Sequence, residues 1–210
     1  MCIWAFVFLV GMPVSVVRSA FMLSLYALLS LGHRDKMTVN TLAFTAIVLL
    51  IINPQSLFDV GFQMSFLSVF AILIFLPLFE MVFSQQYLMD HRLLKWIWSM
   101  LSVSFAAQLG VAPLIAYYFG RFSTISLLTN FIVIPAATLI LYLSLVVLVI
   151  PSLAFLLVEL VSLLNAVLTR LSVIPGASIE GLHPSIIQVA MMYVIIATVY
   201  LLIIRLSRST

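Results

Sequence analysis

The feature that most constrains this chain is a run of 28 residues, 123–150, with no charged side chain in it. A helix crossing ~30 Å of hydrocarbon needs ~20 apolar residues, and this run exceeds that. Comparable stretches fill the rest of the sequence. Across all 210 residues, 65% are hydrophobic and 7% charged, with a mean hydropathy of +1.34. A typical soluble domain is roughly 25% charged, so too few polar side chains are present to cover a water-facing surface. A soluble globule, a disordered chain and a fibrous repeat are all excluded. The apolar runs are continuous and not alternating, so the expected fold is all-α, a polytopic helical membrane bundle, and not an outer-membrane barrel.

Prolines, glycines and charges mark out the spans. Residues 1–12 are apolar but too short to cross, and they end at Gly11-Met12-Pro13. Full spans are expected at about 14–31, 37–52, 60–79, 96–118, 123–150, 152–174 and 185–204, seven in all beside the N-terminal half-segment. Asn53-Pro54 closes the second, because the residue before proline disfavours helix. Cutting 123–150 at Pro135 would leave a piece of ~18 Å, too short to span, so it is expected to be one span, broken or kinked at the proline. Pro13 and Pro113 are the other two expected helix breaks. Residues 86–98 are expected to lie along the membrane surface, with Trp96 and Trp98 as interfacial anchors. The whole of 1–210 is expected to form one transmembrane domain. It opens inside an apolar run without a cationic leader, as a fragment or short form of something longer would.

Seven alternating spans place Arg34, Lys36, Arg92, Lys95, Arg205 and Arg208 on one side and Arg18, Arg121 and Arg170 on the other. Six against three makes the first side cytoplasmic. The same parity sorts the polar residues within spans, which are costly and are functional candidates by default. Arg18, Asn53, Asp59, Gln63, Arg121 and Asn130 all fall toward the less basic side, with Gln108 in mid-span. Asp59 and Gln63 are four apart and share a helix face, and Arg18 lies at the right depth to pair with Asp59. Two readings stand side by side. Each residue has an ordinary role, Asp59 as a helix cap and Arg18 as its ion-pair partner. As a group they fit a hydrated pore mouth. Glu159 and Asn165 are expected to make helix–helix hydrogen bonds.

Several chemistries are missing from the sequence. There is no His-Glu-x-x-His, no phosphate-cradling glycine loop and no Gly-x-Ser-x-Gly elbow. A single cysteine, Cys2, excludes a disulfide framework and a thiolate metal site. No catalytic residue, cofactor or metal is expected.

Four ordered blocks carry a family resemblance. Gly11-Met12-Pro13-Val14-Ser15-Val16-Val17-Arg18-Ser19-Ala20-Phe21-Met22 resembles the Gly-x-x-Pro-Ser-x-x-Arg-Ala-x-x-Met signature of ComEC-type competence proteins. Asn53-Pro54 followed by Asp59-Val60-Gly61-Phe62-Gln63-Met64-Ser65-Phe66 is similar to that family's Asn-Pro…Gly-Phe-Gln-Leu-Ser-Phe block. Ala107-Gln108-Leu109-Gly110-Val111-Ala112-Pro113 and Phe119-Gly120-Arg121-Phe122-Ser123 follow in order, and Asn130 through Pro135 matches Asn-x-x-x-x-Pro. The departures are an extra residue before Ser15, Ser19 in place of Ala, and Met64 in place of Leu. The resemblance implies an inner-membrane channel core that passes single-stranded DNA into the cytoplasm during natural transformation, alongside other DNA-uptake components. It also implies an OB-like and a metallo-β-lactamase-like domain in full-length members, neither of which this sequence contains. Two rival functions are a small-solute or ion permease and a non-conducting scaffold in the lipid bilayer.

Overall fold

The computed structural model describes residues 2–31, 39–81, 92–174, 176 and 178–207. Among them are eight α-helices: α1 (Cys2–Leu9), α2 (Val14–Leu31), α3 (Val39–Ile52), α4 (Val60–Glu80), α5 (Arg92–Phe119), α6 (Ser126–Val149), α7 (Ala154–Ser172) and α8 (Ile186–Ser207). Two short strands, β1 (Arg121–Ser123) and β2 (Ser178–Glu180), complete the fold with 3-10 turns at Pro54–Phe58 and Pro151–Leu153. The protein is a helical membrane bundle. Five helices are long and apolar enough to cross a bilayer: Val60–Glu80, Leu93–Phe119, Ser126–Val149, Pro151–Ser172 and Ile186–Leu206.

The expected seven spans are thus five among the described residues. α3 has 14 residues, about 21 Å at 1.5 Å per residue, which falls short of the hydrocarbon thickness. α2 has 18 residues, and the side chains of several of them lie outside the described residues. α5 starts at Arg92, four residues earlier than expected, so Trp96 and Trp98 belong to a spanning helix and not to a separate surface helix. Residues 86–91, and the charges at Arg34, Lys36 and Arg208, lie outside the described residues. The side chain of Arg92 does too.

Local chemistry explains the element ends. Gly11 (φ +85°) and Met12 (φ +56°) adopt the left-handed conformation that terminates α1, and Pro13 then precedes the first turn of α2. Pro13 therefore stands at a real break. Pro113 and Pro135 do not, because α5 and α6 run unbroken through them. A proline deprives its helix of one donor, and neighbouring helices can make good the loss. Pro113 is fully buried among the helices packed on α5, and one residue along from the Leu109 carbonyl that it leaves without its usual donor, Tyr193 of α8 donates to the Gly110 carbonyl at 2.9 Å.

The tightest packing is between α4 and α5. A Cβ on Gly110 would lie 2.6 Å from the Ala71 Cβ and 2.6 Å from the Leu67 carbonyl oxygen, so the two backbones meet where a side chain is missing. Toward the far end of this pair, Trp98 donates to the Phe79 carbonyl at 3.0 Å, and Phe79 packs edge-on against Phe105. α8 lies against the same pair through Tyr193 and through Tyr200, which meets Phe75 at 5.3 Å. α6 and α7 pack on each other, and neither has a buried residue along its membrane-spanning length.

β1 and β2 form an antiparallel ribbon in which Arg121 faces Glu180, Phe122 faces Ile179 and Ser123 faces Ser178. The ribbon falls between expected spans, except that Ser123 belongs to the expected span 123–150. Both segments alternate polar, apolar, polar, a period-2 pattern too short to stand out from a turn. Gly120 at φ +65° and Gly181 at φ +77° flank it, and Leu182 donates to the Gly120 carbonyl at 2.9 Å.

Candidate functional site

Three helix ends are tied together by side chains at the ribbon end of the bundle. Asp59 lies between the 3-10 turn and α4, where its Oδ1 accepts the Phe62 N–H at 2.6 Å and so caps α4. The same oxygen takes a hydrogen bond from Arg18 Nη1 of α2 at 3.0 Å. The two readings of Asp59 coexist: it is a cap and an ion-pair partner at once. Asn53 accepts the Gln55 N–H at 3.2 Å and holds the turn that delivers Asp59.

This pair is lopsided. The Arg18 side chain is 8% exposed and that of Asp59 is 47% exposed. Arg18 Nε is buried without a hydrogen-bond partner among the described residues. The cation depends on Asp59 for its compensation, while the carboxylate has water and a backbone donor as well. Gly61 makes room for the pair: a Cβ there would lie 3.0 Å from Arg18 Nη2 and 3.1 Å from Asp59 Oδ1. Sequence reasoning passed over Gly61 as a site residue, although it sits inside the Gly-Phe-Gln block.

Gln63, one turn beyond Asp59, donates to the Leu57 carbonyl at 2.9 Å and accepts from the Tyr118 hydroxyl at 2.9 Å. Tyr118 stands at the end of α5, so the C-terminus of α5 meets the N-terminus of α4. Tyr118 is a second residue missed in the sequence, where it reads as one aromatic among many. Phe62 and Phe66 stack at 4.4 Å on the same helix.

The other candidates are separate from this cluster. Arg121 lies on the ribbon and helps wall a cavity of about 560 Å³, together with Glu180, Ser123, Thr129 and Ser172. The other six sequence candidates do not line that cavity. Asn130 is half-buried next to Thr129 in the first turns of α6. Gln108 is half-buried in α5. It lies seven residues before Ile115, which lines the cavity, and so on the same helix face about 10 Å deeper. Arg18, Asp59 and Gln63 therefore share one hydrogen-bonded junction with Asn53 in the adjoining turn. Arg121, Asn130 and Gln108 border the neighbouring cavity or its helices. No cluster of histidine, cysteine or acidic residues suited to a metal occurs among the described residues.

Comparison with known proteins agrees with the family resemblance. A family model described as "Competence protein" matches residues 1–206. ComE operon protein 3 of Bacillus subtilis (strain 168) is 32% identical over 133 residues, which is 63% of this chain and 16% of that protein. The match thus spans 16% of the length of the curated relative. No solved structure matches the chain.

Proposed function

The chain belongs to the competence protein family, and from that premise we propose that it is the membrane core of a channel passing single-stranded DNA into the cytoplasm during natural transformation. The family match over residues 1–206 carries the reading. It points to a role in DNA uptake, and five membrane-spanning helices supply the kind of body such a role needs.

Two physical features support it. Polar and charged groups gather at the ribbon end of an otherwise apolar bundle, and polar groups at membrane depth face protein or water in preference to lipid. Arg121 is exposed on the wall of a cavity that also offers hydroxyls and is a cation able to meet phosphates from solution, its pull reduced by Glu180 facing it across the ribbon. In this proposal the ribbon end faces outward and is where DNA enters, with Lys95 and Arg205 on the cytoplasmic side of an inner (plasma) membrane. Residues 1–210 act as one transmembrane domain that works with other DNA-uptake components.

The test is a strain lacking the gene for this protein. Such cells are expected to bind labelled DNA at their surface while delivering none of it to the cytoplasm. Undiminished import would overturn the proposal. Loss of small-solute flux with DNA import intact would favour a permease instead.

A further inference from the structure

The ribbon turns its polar face toward the cavity beside it. Arg121 stands opposite Glu180 and Ser123 opposite Ser178, and side chains that face each other or lie two apart share one face of a pleated pair. All four line the cavity of about 560 Å³. Phe122 and Ile179 belong to the other face, and Ile179 is 49% exposed. A ribbon that merely covered an apolar core would present the opposite face to it. The remaining walls come from three helix ends: Ile115 toward the end of α5, Thr129 in the first turn of α6, and Leu168 and Ser172 at the end of α7. Ribbon and helices together bound a space within the ~300–1,000 Å³ of small-molecule sites.

The groups on these walls differ in what they can bind. The Arg121 guanidinium has donors only, and it makes no side-chain hydrogen bond or ion pair among the described residues. It is a place for an anion. The hydroxyls of Thr129 and Ser172 give their protons to the Ile125 and Thr169 carbonyls at 2.9 and 2.8 Å. What they have left to offer is acceptor lone pairs. The Glu180 carboxylate accepts only a long bond from Ser178, at 3.4 Å, and keeps most of its acceptor capacity. These acceptors suit an ammonium group. The walls are also graded by depth. Ile115 and Leu168 lie four residues, about 6 Å, inward of Phe119 and Ser172, where their spans end. Charges sit at the headgroup level and apolar side chains on the hydrocarbon side, which is the polarity gradient of an amphiphile.

We infer that the ribbon cavity binds a phospholipid whose headgroup joins a phosphate to a primary ammonium, of the phosphatidylethanolamine type. Arg121 takes the phosphate. Glu180, Thr129 and Ser172 take the ammonium, and an acyl chain runs inward past Ile115 and Leu168. Such a headgroup carries no net charge, as walls bearing one cation and one anion require. Glu180 repels a polyanion that enters, so the neutral headgroup is the better occupant. A trimethylated choline headgroup has no N–H to give these acceptors, and a glycerol headgroup has no cation for Glu180. The inference stands on the chemistry of the cavity and not on the DNA reading, and the two fail in separate experiments.

The test is native mass spectrometry of the whole protein, released from detergent after incubation with equimolar phosphatidylethanolamine, phosphatidylcholine and phosphatidylglycerol of identical acyl chains. The unaltered protein is expected to retain phosphatidylethanolamine about tenfold over either other lipid, the scale of one charge-assisted hydrogen bond. Glu180→Gln should bring its retention down to that of phosphatidylcholine, and Arg121→Gln should weaken all three by about the same factor. Equal retention of the three lipids, or a preference that survives Glu180→Gln, would overturn the site. Displacement of the lipid by an equal concentration of O-phosphoethanolamine would show that a free zwitterion is the ligand and overturn the lipid assignment. Thr129→Val keeps the side-chain shape and lies off the ribbon, so it keeps the test decisive should a ribbon variant accumulate poorly. It is expected to lower the preference about threefold, and an unchanged preference would overturn the ammonium assignment.

Discussion

Replacing Asp59 by alanine is expected to cost the folded protein roughly 4 kcal/mol, most of it from a guanidinium left buried and unpaired, with about 1 kcal/mol from the lost cap on α4. The imbalance in exposure is what makes this loss large. Arg18 is 8% exposed and its Nε already lacks a partner, so removing Asp59 strands a charge. The converse change, Arg18→Ala, leaves Asp59 47% exposed and still accepting the Phe62 N–H. It is expected to cost markedly less. Asp59→Asn should fall between the two, because the amide oxygen can still cap α4 while the charge is gone. Thermal unfolding of the purified variants in detergent gives the order directly. An Arg18→Ala loss equal to or larger than that of Asp59→Ala would show that the pair is not asymmetric in the way its burial implies.

Gly110→Val is expected to destabilise the bundle by a similar amount, roughly 3 kcal/mol, by overpacking. A first carbon at this position meets the Ala71 Cβ and the Leu67 carbonyl oxygen, each at 2.6 Å. The Leu67 contact is backbone and cannot swing aside, so α4 and α5 must separate. Separation also draws the Gly110 carbonyl away from Tyr193. A second substitution sharpens the expectation: Ala71→Gly should rescue Gly110→Ala only in part, since it relieves the Cβ contact and leaves the carbonyl. Full rescue would place the obstacle at Ala71 alone. Unchanged unfolding temperatures in Gly110→Val would mean that the helices do not approach this closely.

The sequence was most legible where its physics is cumulative. Apolar run length gave the class of fold and the positions of the long helices to within a few residues, as at α4, α6 and α8. Length also marked its own failure: 37–52 was counted as a span although its helix has 14 residues. Proline was over-read. Pro113 and Pro135 lie inside α5 and α6 without ending them, because packing against other helices can hold a helix together across one lost donor, and that packing is not visible in one dimension. Pairing of Arg18 with Asp59 was foreseeable from depth, yet its asymmetry was not, because burial depends on which helices cover which face. Gly61 and Tyr118 were missed for the same reason. A glycine that clears space for a guanidinium, and a hydroxyl that reaches Gln63 from another helix, reveal themselves only in three dimensions. The ribbon was hidden by brevity, since three alternating residues carry too little pattern. Glu159 and Asn165 are expected from the sequence to bond a neighbouring helix, but both lie on the exposed side of α7 and their side chains make no hydrogen bond among the described residues.

We propose that the Arg18 junction serves the passage of DNA and not merely the fold. Arg18→Ala is suited to test it because the structure assigns that change the smaller stability cost. The decisive measurement is the transformation frequency of Arg18→Ala cells at matched protein level. A fall to the background of cells without the protein is the expected result, and transformation at the unaltered frequency would contradict the claim and leave Arg18 a structural residue.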